Sequence, residues 1–470
     1  MTALTYRRLA LGAIMGVVGA LLVRVLPSGA TLAPIELAAS GAACGVAFAA
    51  LIGKRPHGAG ASLVWALGFA FLVWIAVCAI TAFGLRSADM ATVMIDVARS
   101  RFTLLAGLIV ASAPLGLALG IAPGVRASGE RRFSISRAVC AGGFAGIFGG
   151  WAFGKWMEQA GFFPLVAGLV RSDSIFVGVA LHFTIAVVVG VTFGLLFQRE
   201  IRGLGSSLAW GAAYGIFWWF LGALTLLPLF LGKQPDWTYV HAAGLFGSLV
   251  GHIVYGLIVG LLYAALDGTW IWLFERSDPL NRAMEGSGSV ALSSLWRGAA
   301  ASLVGALLFS VVMFATGSLT RVAQIVGGSS IGLGFFVHLV IAAIIGATYG
   351  LFFRYESTGD VSAIGWGATY GLMWWFLGPL TLFPILLGGT FTWTTAAADA
   401  QLPSLVGHLI YGIGLAIAFR ALERRHLAHL FIDERLRRRW ASRRRPAGSP
   451  APALWLFFVG TGVLLPIILG

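Results

Sequence analysis

The sequence predicts an all-α membrane protein: a polytopic transmembrane helical bundle with three parallel four-helix repeats, the first degenerate, and a C-terminal helix. Its 470 residues are 59% hydrophobic and 11% charged, with a mean hydropathy of +0.90. Soluble globular domains carry about 25% charged residues, so this composition excludes them. Apolar stretches of about 20 residues, the length that crosses a bilayer as a helix, recur along the whole chain. The 64 glycines favour close helix packing in lipid.

A repeat with a fixed period is the second observation. Trp366–Pro379 repeats Trp210–Ala223 almost residue for residue, and 366 − 210 = 156. The same shift carries His182 onto His338 and His252 onto His408. Self-similarity at one period indicates a repeat architecture. Ionisable residues inside apolar segments are functional candidates, and here four of them are copied in register.

The predicted spans form three sets of four. The sets are 9–25, 33–53, 60–83 and 103–121; then 138–155, 175–197, 206–231 and 244–266; then 297–316, 331–353, 362–387 and 402–422. The corresponding units are 1–125, 126–290 and 291–425, followed by a basic cytoplasmic segment at 426–452 and a terminal span at 453–470. Each set has an even number of spans, so all three sets face the same way, unlike inverted repeats.

The first set is a degenerate copy of the other two. Its third span aligns Trp65 with Trp210, and its fourth span places Leu108 where the second set has His252. The other histidine position falls near Leu37, beside Glu36. The first set therefore keeps the predicted shape and lacks the histidine pair.

The net charge of +14 is concentrated in alternate connections between spans. By the positive-inside rule, these connections and the N-terminus face the cytoplasm. We expect a multi-pass protein of the bacterial inner membrane whose basic residues meet anionic lipid headgroups. Other membrane proteins are further candidate partners, and no nucleic acid is expected. Only the tail Arg435–Arg445 would suit a nucleic-acid or protein partner.

The four repeated histidines are the main site candidates. His338 lies 16 residues before Arg354 and His408 lies 12 before Arg420, which places them about 24 Å and 18 Å from the cytoplasmic face. Two imidazoles at matched depth can ligate a metal or haem iron, or line a permeation path. Alternatively they fasten helices through hydrogen bonds to a carbonyl, or to Ser248 and Ser404 one turn earlier. If a metal is bound, these histidines are its ligands.

Acidic and aromatic residues refine this picture. Nearly all Asp and Glu lie in loops, which weakens the case for a carrier driven by protons or sodium. Glu36 is either a buried functional acid or an interfacial residue at the start of its span. Trp219 and Trp375 predict an aromatic wall beside the histidines, suited to a planar or apolar ligand, with aromatic packing as the alternative. No hydrolytic motif is present, so enzymatic activity is not expected.

Short motifs repeat with the histidines. They are His182 and His338 followed by Gly-x-x-x-Gly in the second span, and Gly251-His252 and Gly407-His408 at the head of the fourth. In these motifs the chain resembles the YagU-type family of four-helix bacterial inner-membrane proteins, which have no established biochemical activity. The resemblance covers the second and third sets and implies a fold and a location.

These observations lead to three functional hypotheses. The first is transport or permeation of a small solute through the histidine-containing bundles. The second is a membrane redox protein that binds haem b or copper through the histidine pairs, a cofactor assignment that is not favoured. The third is a membrane scaffold subunit in which the histidines only hold helices together.

Overall fold

The computed structural model describes residues 3–25, 33–52, 58–85, 89–121, 133–201, 203–270, 287–356 and 359–430. Within these ranges the chain is helical and contains no strand. Eleven of the described helices are long and apolar enough to cross a bilayer. The prediction of an all-α polytopic bundle is therefore confirmed, and the protein is a multi-pass membrane protein. The predicted terminal span at 453–470 and nearly all of the basic segment at 426–452 lie outside the described residues.

The first set contains its four predicted helices and one more. Its helices are α1 (Ala3–Val25), α2 (Pro34–Ile52), α3 (Ala59–Gly84), α4 (Met90–Ser100) and α5 (Phe102–Ile121). The additional helix, α4, has 11 residues and is too short to span, so apolar length could not reveal it. Asp89 caps it by accepting the Thr92 N–H at 3.2 Å. The Thr92 hydroxyl also bonds this carboxylate and lowers the pKa of Asp89.

The second set begins with a helix that is less apolar than its neighbours. Its helices are α6 (Ile135–Gln159), α7 (Phe163–Ala167), α8 (Ile175–Phe197), α9 (Leu204–Trp218), α10 (Leu227–Phe230), α11 (Tyr239–Gly244) and α12 (Phe246–Trp270). Helix α6 covers the predicted span 138–155 but is not among the eleven apolar helices. Six glycines and Lys155 dilute its hydrophobicity, and it packs along α8 through those glycines.

The third set follows the same order. Its helices are α13 (Ser287–Ala315), α14 (Leu319–Ala323), α15 (Ile331–Phe353), α16 (Asp360–Leu377), α17 (Phe383–Leu386), α18 (Thr395–Ala400) and α19 (Leu402–Leu430). Helices α13 and α19 extend beyond the predicted spans 297–316 and 402–422. Where these extensions begin, Arg297 pairs with Glu423 at 3.0 Å, with both side chains mostly buried. Both helices therefore continue past the ends of their apolar segments.

Packing within each set follows one pattern. The first long helix packs against the second and the fourth, and the third packs against the fourth. Glycines make the closest contacts, such as Gly142 with Gly190 between α6 and α8. Glycine pairs of this kind let backbones approach in lipid, where the hydrophobic effect does not drive helix association. Sets one and two together form one compact unit, and set three forms a second one.

Candidate functional site

Sets two and three each enclose a cavity beside their histidine pair. The set-two cavity has a volume of about 600 Å³ and lies among α6, α8, the end of α9 and α12. The set-three cavity has about 230 Å³ and lies among the corresponding helices of its own set. Every residue lining the set-three cavity except Thr316 has its counterpart, 156 residues earlier, in the lining of the set-two cavity. Apolar concave sites with a few polar groups are the usual form of small-molecule sites.

His182 and His338 join helices. His182 Nε2 lies 2.8 Å from the Gly150 carbonyl oxygen of α6, and His338 Nε2 lies 3.2 Å from that of Ala306 on α13. A carbonyl oxygen only accepts hydrogen bonds, so Nε2 is the protonated nitrogen of each ring. Each histidine therefore ties the second helix of its set to the first, and its Nδ1 keeps a lone pair.

His252 and His408 bond differently, because their partners lie on their own helices. His252 Nδ1 lies 2.8 Å from the Ser248 carbonyl oxygen, and His408 Nδ1 lies 2.7 Å from that of Ser404. The two serine hydroxyls lie 3.4 and 3.3 Å from the same ring nitrogens. These rings hold no second helix. Their Nε2 atoms keep a lone pair, and both residues line the cavity.

An aromatic ring contacts both histidines of each pair. The Phe153 centroid lies 5.7 Å from the His182 ring and 4.7 Å from the His252 ring. Phe309 lies 5.3 and 4.8 Å from the rings of His338 and His408. Among the described residues, no group of three or more His, Cys, Asp or Glu side chains converges as a metal site. The pairs thus offer at most two imidazole ligands each, around an apolar ring.

Each cavity has a tryptophan in its wall, next in sequence to the candidate tryptophan. Trp219 and Trp375 are fully buried and donate their indole N–H to the carbonyls of Leu245 and Gln401, at 3.3 and 2.9 Å. They do not line the cavities, whereas the preceding residues, Trp218 and Trp374, do.

The spacing of residues along α9 indicates which tryptophan of the adjacent pair Trp218 and Trp219 lies in the cavity wall. Trp218 lies one turn after Tyr214, whose hydroxyl is 2.8 Å from that of Thr192 on α8. That face of α9 therefore points toward the helix that carries His182. Tyr214, four residues before Trp218, was therefore the sequence signal that indicates which of the two adjacent tryptophans faces the cavity.

A π-helical turn forms part of each cavity wall. It spans Trp219–Leu226 in set two and Gly378–Leu382 in set three. In set two, the Thr225 hydroxyl donates to the Phe220 carbonyl at 2.8 Å and accepts from the Trp237 indole at 3.1 Å. Thr381, Phe376 and Trp393 repeat this arrangement in set three, at 2.7 and 2.9 Å. Such turns are rare and occur frequently at functional sites.

The rims of the two cavities carry different charges. Lys233, Asp236 and His241 lie at the rim of the set-two cavity, and His241 Nδ1 is 4.0 Å from an Asp236 carboxylate oxygen. The set-three cavity has Arg321 instead, with its guanidinium 5.8 Å from the Phe383 ring centroid. These groups are the charged residues in the two linings.

In sets two and three, buried aromatic residues pack around the C-terminal part of the second long helix, beyond its histidine. In set two, Phe193 lies 5.7 Å from both Tyr214 and Tyr263, and Phe197 lies 5.5 Å from Trp210. The corresponding rings of set three show the same contacts: Tyr349, Phe353, Trp366, Tyr370 and Phe419. Phe193 lies about 16 Å along α8 from His182. These rings are not part of either cavity lining.

Glu36 lies outside both cavity linings. It is exposed in the first turn of α2, where its carboxylate accepts the Ala33 N–H at 3.1 Å. Carboxylates stabilise helix N-termini in this way. The geometry agrees with the interfacial interpretation of this residue.

Comparison of the chain with family models, with curated proteins and with solved structures gives no match in any of the three. Membership of the YagU-type family therefore stays a prediction. The functional conclusion depends on the cavities and their residues.

Proposed function

We propose that this multi-pass membrane protein binds and transports a small amphipathic solute, with the set-two and set-three cavities as its binding sites. The main supporting observation is that one cavity design occurs twice, with the same histidine pair, phenylalanine and tryptophan in the wall. We place the protein in the bacterial inner membrane with its N-terminus in the cytoplasm, on the distribution of its basic residues.

The wall chemistry defines the solute class. Apolar and aromatic side chains make up most of each lining and suit an apolar body. The free histidine nitrogens accept hydrogen bonds from a hydroxyl or amine of the solute. A wholly apolar molecule crosses a bilayer unaided, so a transport protein serves a solute that also carries a polar group.

The closed end of each set supports a carrier rather than an open channel. Neither cavity extends among the buried aromatic residues beyond the histidines, so the site has to change its access during transport. The π-helical turn, which lies in the cavity wall and is tied to the following loop through Thr225 and Trp237, is the proposed hinge.

We expect the double variant Trp218→Ala, Trp374→Ala to lose at least about tenfold of its transport rate, since each substitution removes an aromatic wall. Full-length protein in liposomes would be tested with a short-chain carboxylate that carries a nitrobenzoxadiazole fluorophore. Dithionite quenching from outside measures its movement across the bilayer. Trp296→Ala, at a tryptophan that is 76% exposed, is the matched control. Wild-type protein that gives no more movement than empty liposomes would overturn the proposal.

The haem or copper hypothesis has one observation in its favour, the two free imidazole nitrogens at each cavity. The phenylalanine ring that contacts both imidazoles of each pair counts against it, and the limit of two protein ligands per pair further disfavours a copper site. We expect purified protein to show no Soret band that shifts on dithionite reduction, and less than one copper per chain by elemental analysis. A shifting Soret band or stoichiometric copper would replace the transport proposal with a redox function.

A further inference from the structure

We infer that the set-three cavity selects amphiphiles with an anionic head group, which Arg321 binds at the rim. This inference rests on the proposed function and names the ligand class of one of its two sites. It follows from comparing the two cavities position by position.

The two cavities share several interior residues, although Trp156 of set two corresponds to the smaller Val312 of set three, and parts of their rims differ in charge. Phe153, Trp218 and His252 have identical counterparts 156 residues later. On the α7 and α14 side the residues change: Phe162 corresponds to Ser318, and Leu165 corresponds to Arg321. An apolar body small enough for the 230 Å³ cavity of set three also fits the larger cavity of set two, and the rims then differ in what they offer to its head group.

Arg321 is available to a ligand. Its side chain is exposed, its guanidinium lies near the Phe383 ring, and no carboxylate among the described residues pairs with it. In set two, by contrast, Lys233 shares the rim with Asp236, which also lies beside His241. The set-two rim thus presents both signs of charge, and the set-three rim presents a lone cation.

A lone guanidinium at the edge of an apolar cavity attracts anions, with the modest strength of a partly exposed ion pair. Its planar fork matches a carboxylate or phosphate group. Apolar surroundings lower the local dielectric and strengthen the attraction relative to water. The ligand's apolar chain would then lie against Phe309 and Trp374, with His408 farther inside. A free alkyl carboxylate and an anionic phospholipid share this chemistry.

Binding of decanoate and of decanol to full-length protein in nanodiscs of zwitterionic lipid tests the inference. We expect wild-type protein to bind both, with Arg321→Leu weakening decanoate about fivefold, in line with a partly exposed ion pair, and leaving decanol unchanged. Leu165→Arg, which places the cation at the equivalent position of set two, should add a second decanoate site. Trp374→Ala should weaken both ligands at the set-three cavity.

The binding results distinguish a failure of the proposed transport function from a failure of the selection for anionic head groups. If neither ligand binds, the proposed function fails. If both bind and Arg321→Leu affects them equally or not at all, the selection of anionic head groups fails while the proposed function stands. Adding phosphatidylglycerol to the nanodiscs identifies the source: competition with decanoate supports an anionic lipid as the ligand, and its absence supports a free carboxylate.

Discussion

Replacing Gly412 by leucine is expected to force α16 and α19 apart and to destabilise set three. A Cβ atom at position 412 would fall on the carbonyl oxygen of Gly367, and backbone cannot move aside as a flexible side chain can. Overpacking of this kind costs about 1–3 kcal/mol for added methylenes, and a whole leucine side chain against backbone is expected to exceed that range. Thermal unfolding in detergent should show a midpoint lower by about 5 °C or more.

Gly332→Leu is the matched control for this prediction. Gly332 lies in the first turn of α15, and a Cβ atom there would meet no heavy atom within 4 Å. The same substitution should leave the unfolding midpoint close to that of the wild type. Equal midpoints for the two variants would show that the glycine contact between α16 and α19 does not determine the stability of the protein.

The histidines are expected to separate into two functional classes. The double variant His252→Leu, His408→Leu removes only bonds to carbonyls on the same helices, which already accept the helical N–H, so stability should change by less than about 1 kcal/mol. Ligand binding should fall at least about tenfold, because the cavities lose their inward acceptors. The double variant His182→Leu, His338→Leu removes bonds between helices and should cost about 0.6–1.7 kcal/mol per site.

Decanol binding and thermal unfolding, measured on the same samples, check this division. Leucine is a suitable replacement, since the first set carries Leu108 at the corresponding position. The scaffold hypothesis predicts that all four histidines affect stability and that none affects binding. Unchanged binding in the His252→Leu, His408→Leu variant would contradict the role proposed for these two residues.

The length of the apolar segments was enough to predict the positions of most long helices. The bounds of α8 and α15 coincide with the predicted spans 175–197 and 331–353, because flanking polar residues mark both ends of each run. The short helices α4, α7 and α14 were missed because they are too short to span, and their positions depend on packing. The polar ends of α13 and α19 were missed because apolar length marks only the apolar part of a helix, and the Arg297–Glu423 pair beside them joins residues far apart in sequence.

The site could be predicted only in part. The histidines and the two serines were found from the repeat alone, and the structure places all six in the cavity linings. The candidates named from the sequence were Trp219 and Trp375, whereas the cavity walls contain Trp218 and Trp374; the spacing from Tyr214, one turn before Trp218, was the signal that distinguishes them. Arg321 lies outside the repeated motifs, so only the cavity geometry draws attention to it.

The first set lacks the histidine pair, but its side chains contact the loop and the π-helical turn that border the set-two cavity. The Thr103 hydroxyl donates to the Trp237 carbonyl at 3.0 Å, and the rings of Phe71 and Phe102 lie 6.3 and 6.0 Å from that of Phe220. Residues of set one thus contact both the rim loop and the π-helical turn of set two. A shortened protein that begins at residue 133 would keep every cavity residue, yet would release the loop that carries Lys233 and Asp236. Set two therefore keeps its fully supported binding site only together with set one.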